Sequence, residues 1–399
     1  MVALIITFVF VLSTTTSVVA QEVSDPQDKG DTEATERVDT DEDASDEEGA
    51  EEKKKKDFPF VPIPVFITEP AIGYGLGAAI GYFHPRKGEE ETAESISPAF
   101  TTGTPPGSTS DDEEKPPPVI SGVAGAYTDK GSWGFGVGHM NNWKEDGIRY
   151  SGAIGYINVE STFYLFDRPA DFNLQAWLTI QNLKFRLSRS DFFLGFKWLY
   201  IDADGKFKFG ENLPDDRPGI GRVDSGLAIQ AAWETLDNTM TPDEGQRFTM
   251  ELWRYDEAIG GDYDYWKAKL ELLSFHPFAK RFVLGLRLEF DGVDGKPPLW
   301  GYPWVTLRGI PALRYQNEKT GVLETELRWN IVDRWALVGF VGVAATRGDT
   351  RVYEDESGIV AGGIGGRWLF RPQDKLWVGL DVAQGPEDIY TYIQVGHAW

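Results

Sequence analysis

From residue 71 to the final residue, apolar and polar side chains alternate with a period of two, in stretch after stretch of about ten residues. In "RFVLGLRLEFD", Phe282, Leu284, Leu286, Leu288 and Phe290 take one face, while Val283, Gly285, Arg287, Glu289 and Asp291 take the other. "YWKAKLELLSF", "GVLETELRW" and "LWVGLDVA" repeat the pattern, and so does "AIGYGLGAAIGYF", whose second face is nearly all glycine. A period of two describes strands standing between two media. The candidates are a soluble sandwich and a transmembrane barrel. Composition favours the barrel, because 14 Trp, 15 Tyr and 24 Phe gather near strand ends, where lipid interfaces hold aromatic rings. The polar faces mix both charge signs with glycine, as a watery lumen requires. Beyond residue 20 no apolar run approaches the ~18 residues of a membrane helix. Only helices and closed barrels satisfy every backbone group in a bilayer. The reading is all-β, a 16-stranded antiparallel transmembrane β-barrel.

The expected strands are 72–84, 118–128, 132–142, 148–158, 160–167, 172–186, 190–203, 223–235, 246–257, 263–275, 281–291, 313–329, 334–346, 358–370, 375–384 and 388–399. An even number places both chain ends on one side. The long polar connections 85–117, 204–222, 292–312 and 347–357 then share the far side, and short turns such as "TDKGS", "SRSD" and "RPQDK" share the near one. If 160–167 merges with its predecessor, the parity fails. The last strand reads as running to Trp399 and closing the barrel against 72–84. Gly73, Gly75, Gly77 and Gly81 on the first strand, with Gly396 on the last, would pack little and leave a weak seam.

Ahead of the barrel, residues 1–20 read as a signal peptide with Val18 and Ala20 at the −3 and −1 positions. Residues 21–57 hold sixteen acids and six bases with few apolar groups, so a disordered acidic linker is expected. The barrel domain is 58–399, with "FPFVPIPVFITEP" as an extended lead-in. The net charge of −24 argues against nucleic acid as a partner. There is no cysteine, hence no disulfide framework or thiolate zinc site, and no metal or cofactor is expected.

Several stretches resemble the BamA/TamA-type bacterial surface antigen family. "PVFITEPAIGYGLGAAI" is similar to its route into the barrel. "LDNTMTPDEG", with Asp237, Asn238, Pro242 and Gly245, resembles its turn motif. "VTLRGIPALRYQNE" resembles its V-R-G-F/Y loop, and "GGIGGRW" with "LWVGLDVAQG" resembles its last strands. The C-terminal "YIQVGHAW", with Tyr392, Ile393, Val395 and Trp399, is similar to the signal by which the barrel-assembly machinery reads outer-membrane proteins. The resemblance covers residues 58–399. It implies a bacterial outer-membrane location, contact with outer-membrane lipid and lipopolysaccharide, and a role in inserting, assembling or translocating proteins or lipids. It also implies that Arg308, beside Gly309, folds into the lumen and pairs with acids of the inner wall. By strand parity Glu324, Glu326 and Asp381 face inward; a solvated Arg308 is the alternative. Where the family often has an aspartate, this chain has Gly342. Where family insertases carry POTRA domains, this chain offers the acidic 21–57, so a client protein would need a separate periplasmic partner.

The competing functional reading is a passive channel or structural surface antigen. An enzyme is not expected. The histidines are His84, His139, His276 and His397, and "GVGHMNNW" places Met140 and Asn141 where a serine nucleophile would be needed.

Overall fold

The computed structural model describes residues 60–84, 119–144, 146–165, 168–208, 220–238, 240–350, 353–371 and 375–399. The expected signal peptide, the acidic linker and the connection 85–117 lie outside them. Sixteen strands form one antiparallel sheet in sequence order. They are β1 (Phe60–Glu69), β2 (Gly73–Phe83), β3 (Ile120–Thr128), β4 (Trp133–Trp143), β5 (Ile148–Leu165), β6 (Arg168–Arg186), β7 (Phe192–Lys208) and β8 (Ile220–Glu234). The second half comprises β9 (Gly245–Tyr255), β10 (Tyr265–Ala279), β11 (Phe282–Gly295), β12 (Lys319–Val332), β13 (Trp335–Arg347), β14 (Glu356–Arg371), β15 (Leu376–Gln384) and β16 (Ile389–Val395). The sheet curls until β1 and β16 lie side by side, but no hydrogen-bonded ladder joins them, so the barrel is nearly closed.

The strand number agrees with the expected sixteen, yet two members differ. The lead-in "FVPIPVFITE" is itself a strand, β1, paired with β2 from Phe60↔Tyr82 to Glu69↔Gly73. Conversely, 148–158 and 160–167 are one strand, β5, in unbroken register with β6 from Ile148↔Phe185 to Leu165↔Arg168. The break expected near Glu160 is a change of medium instead. Strands β5, β6 and β7 have 18, 19 and 17 residues, well beyond the ~10 that span a bilayer. Their outward positions turn polar at one end, where Asn173 donates to Asn158 (3.1 Å) and Glu160 (2.9 Å).

These two changes exchange the ends of two connections. The chain leaves β2 and re-enters β3 on the side of Phe60 and Val395, where His84 N–H donates to Val119 O (3.0 Å). The connection 85–117 therefore starts and ends with the short turns, and "TDKGS" lies with the long loops. The seam also moves, because the strand beside β16 is β1 and not 72–84. Gly73, Gly75, Gly77 and Gly81 sit in β2, one strand in; the last three are paired on both sides and Gly73 with β1.

The outer face is apolar over most of its height, with Leu76, Tyr127, Phe135, Phe196, Trp335 and Ile364 exposed to the surroundings. The lumen is not uniformly wet. Along β5–β8 the inner wall is Ile157, Val159, Phe172, Leu174, Leu178, Leu199 and Ile201, packed with Trp300, Trp304 and Leu313 of the β11–β12 connection. Toward the mouth near Arg186 and Glu234 the same strands turn polar inside, where Glu234 pairs with Arg149 (2.9 Å) and Lys184 (3.0 Å), and β9–β15 carry the rest of the polar inner wall.

Candidate functional site

The β11–β12 connection turns inward and fills the lumen, with Val305, Leu307, Arg308 and Ile310 all buried. Leu307 fits because of Gly342 on β13. A Cβ at Gly342 would lie 2.5 Å from Leu307 Cδ2, so the missing side chain is the seat of the loop. Gly309 adopts φ +96°, and a Cβ there would meet the backbone of Gln384 and Gly385 at 3.1 Å. Glycine is required twice over, by conformation and by close approach.

Arg308 is thereby brought together with all three expected carboxylates. Its Nε donates to Glu324 Oε1 (2.9 Å), and its Nη1 lies 2.9 Å from Asp381 Oδ2 and 2.7 Å from Glu326 Oε2. The Glu326 contact is an ion pair by distance, without hydrogen-bond alignment. The guanidinium also lies 3.5 Å over the Phe340 ring. Three further cations extend the set. Arg367 pairs with Asp381, Arg287 with Glu324 (3.5 Å) and Glu289 (2.8 Å), and Lys269 with Glu289 (2.9 Å). Asp381 and Glu324 are almost fully buried, at 0% and 2% exposure, so these charges rely on one another and not on water.

The loop also holds both seam strands from within. Gly309 N–H donates to Tyr392 Oη on β16 (2.9 Å). Ala312 N–H donates to Glu69 Oε1 at the end of β1 (2.9 Å). Arg314 and Tyr315 hold Glu387 in the β15–β16 turn, the tyrosine at 3.1 Å. Burial and the neighbouring Glu387 push the Tyr315 hydroxyl up to about 12.

At the opposite mouth the C-terminus departs from expectation. β16 ends at Val395, and Gly396 at φ +82° turns the last residues inward. His397 N–H donates to Met240 O (2.7 Å), and Trp399 Nε1 donates to Glu324 Oε2 (2.8 Å) beside Phe275. Trp399 therefore lies in the lumen instead of closing the wall, while Ile393 and Val395 continue the outward pattern of β16. Met240 belongs to the turn that carries Asp237, Asn238, Pro242 and Gly245. Asn238 accepts from Met240 N (2.7 Å) and Thr241 N (2.8 Å). Asp237 accepts from Asp243 N (2.9 Å) and Glu244 N (3.1 Å). Lys375 bridges Asp237 (2.9 Å) and Asp243 (2.8 Å), and Arg328 takes Pro242 O (3.1 Å). Gly245 at φ +106° closes the turn. One carboxylate, Glu324, thus receives Arg308 from one mouth and Trp399 from the other.

Solved barrels share this fold. BamA from Haemophilus ducreyi lacking POTRA domains 1–3 superposes with a TM-score of 0.53 at 11% identity, over 84% of this chain and 69% of that one. CdiB from Escherichia coli gives 0.58 at 10% identity, over 85% and 62%. CdiB from Acinetobacter baumannii gives 0.51 at 9%, over 84% and 59%. The fold is that of a BamA-type outer-membrane barrel. No protein-family model matches the sequence, and no curated relative matches it. The chain spans about three fifths of the two CdiB chains. Within the BamA-type barrel, sequence reasoning reached Arg308 through the resemblance of its loop and the three carboxylates through strand parity. It missed Glu69, Arg287, Arg367 and the Trp399–Glu324 bond, which depend on pairing and on chain reversal. It also missed a Ser121–His139 contact, since the two lie 18 residues apart and meet only across β3 and β4.

Proposed function

We propose that this chain is an outer-membrane barrel that inserts, assembles or translocates proteins or lipids through the seam between β1 and β16. The single observation that supports the reading is the seam itself. Its two strands adjoin without a ladder and are tied by side chains to one inserted loop, through Tyr392 and Glu69. Pro62 and Pro64, two residues apart, share one edge of β1. The continuous pairing with β2 leaves that edge toward β16, where two missing N–H groups weaken any zipper. An edge of this kind is open to augmentation by a client strand. The role comes by analogy with the BamA and CdiB barrels, whose likeness extends to the fold.

Mechanistically, release of Gly309 from Tyr392 and of Ala312 from Glu69 frees the seam while the wall pairs β2 to β15 stay intact. A passive channel fits less well, because the loop and the apolar β5–β8 wall occupy the lumen. The chain has no native cysteine, so pairs introduced along β1 and β16 can be locked selectively. The readouts are assembly of an unfolded barrel substrate and transbilayer movement of a labelled phospholipid, in vesicles holding the full chain. Locking should abolish one of these and leave the barrel folded. Full activity of the locked barrel in both assays would overturn the proposal.

A further inference from the structure

The lipid-facing wall carries one polar cluster that the seam does not use. On β2, β3 and β4 the outward positions are Tyr74, Leu76, Ile80, Val123, Tyr127, Trp133, Phe135 and Val137, all strongly exposed. The same parity brings His84, Ser121 and His139 to that face, at the rim on the side of Phe60 and Val395. Ser121 Oγ lies 2.9 Å from His84 Nε2 and 2.9 Å from His139 Nδ1. Aromatic rings flank them: Tyr82 meets His84 edge-on at 4.8 Å, and Tyr150 lies 6.2 Å from His139. Rings of this kind mark the height of lipid headgroups.

A hydroxyl between two imidazoles donates to one and accepts from the other. The relay uses one nitrogen of each ring and leaves His84 Nδ1 and His139 Nε2 without a protein partner among the described residues. In either tautomer one of these carries an N–H, and uptake of a proton makes both donors. No carboxylate contacts the cluster among the described residues. Against hydrocarbon, these groups would lose their hydrogen bonds to water without replacement. Against a phosphate they are matched.

We propose that His84, Ser121 and His139 form an outer-wall site for the phosphate of a glycerophospholipid headgroup. The lipid, and not free phosphate, is the assigned source, because the site opens onto the apolar wall where acyl chains lie along Ile80, Val123 and Val137.

The test uses the full chain in dodecyl maltoside, titrated with dihexanoylphosphatidylglycerol, with dihexanoylglycerol and with inorganic phosphate. The phospholipid should bind at least about tenfold tighter than either control, and His84→Phe/His139→Phe should lose about tenfold while keeping the heat-modifiable migration of a folded barrel. In the wild type, phosphorus–proton correlation should connect the headgroup to an imidazole, a readout that needs no variant. Equal binding of dihexanoylglycerol would overturn phosphate recognition. Equal binding of inorganic phosphate would overturn the lipid assignment. Unchanged affinity in the double variant, or no correlation to either imidazole, would overturn the site.

Discussion

Arg308 is held in the lumen by charge, and the cost of losing it follows from what would stay behind. Arg308→Met leaves Glu324, Glu326 and Asp381 buried with fewer cations. Breaking a buried set from one side costs about 3–5 kcal/mol. The folded barrel should therefore lose its compact migration at a clearly lower temperature; an unchanged transition would show that water already solvates those carboxylates. Gly342 makes the complementary case by volume. Restoring an aspartate there forces it against Leu307, whose Cδ2 lies 2.5 Å from the position of a Cβ. Gly342→Asp should cost about 1–3 kcal/mol, and Leu307→Ala in the same chain should return part of it. Simple additivity would mean that the two side chains do not compete. The carboxylates are legible in the sequence because parity fixes which side a strand residue faces, whereas Arg308, on a loop, is reached only through the resemblance of "VTLRGIPALRYQNE" to a family motif. The role of Gly342 is not legible, since an absent side chain announces neither the residue that fills its space nor the loop that brings it.

Strands with clean alternation can be read from the chain alone; β1 and β16 show where that fails. "FVPIPVFITE" alternates, but Pro62 and Pro64 argue against a strand that needs both ladders. As an edge with one partner, β1 tolerates them. The same prolines predict an experiment. Pro62→Val/Pro64→Val restores two donors facing β16, and each hydrogen bond formed contributes about 0.5–1.5 kcal/mol. Amide exchange across Ile389–Val395 should slow, and seam-dependent activity should fall with it. Unchanged exchange would mean that the seam is held apart by something other than missing donors. At the other edge, "YIQVGHAW" reads as strand to its end, and only the φ of Gly396 reveals that the chain leaves the wall.

The lumen is divided between a fixed half and an adjustable one. Along β5–β8, apolar side chains and loop tryptophans pack as a core, with ion pairs of Glu234 to Arg149 and Lys184 at one end of it. Along β11–β15, the loop, the charges and the C-terminal residues meet beside the seam, and Glu324 is their common point. The turn beneath them has its own pH dependence. Burial raises the Asp237 carboxyl, but Lys375 and the N–H groups of Glu244 and Asp243 outweigh it and hold it below the ordinary 3.8. That grip is complete above about pH 4 and is lost as pH falls through the lowered value. Acid should therefore loosen the mouth that seats Met240 and His397 before the wall unfolds. Trp399→Ala loosens the same mouth at neutral pH through a different tie, the indole bond to Glu324. Loss of an indole bond to a carboxylate costs about 1.5–3 kcal/mol, less than the barrel needs to stay folded. Planar-bilayer conductance should rise from a low closed level in Trp399→Ala and rise further in Trp399→Ala/Arg308→Met. Because both groups act on Glu324, the combined effect should exceed the sum of the two single changes. A double variant that conducts no more than Arg308→Met alone would show that the C-terminal residues rest in the lumen without closing it, and that the loop by itself seals both mouths.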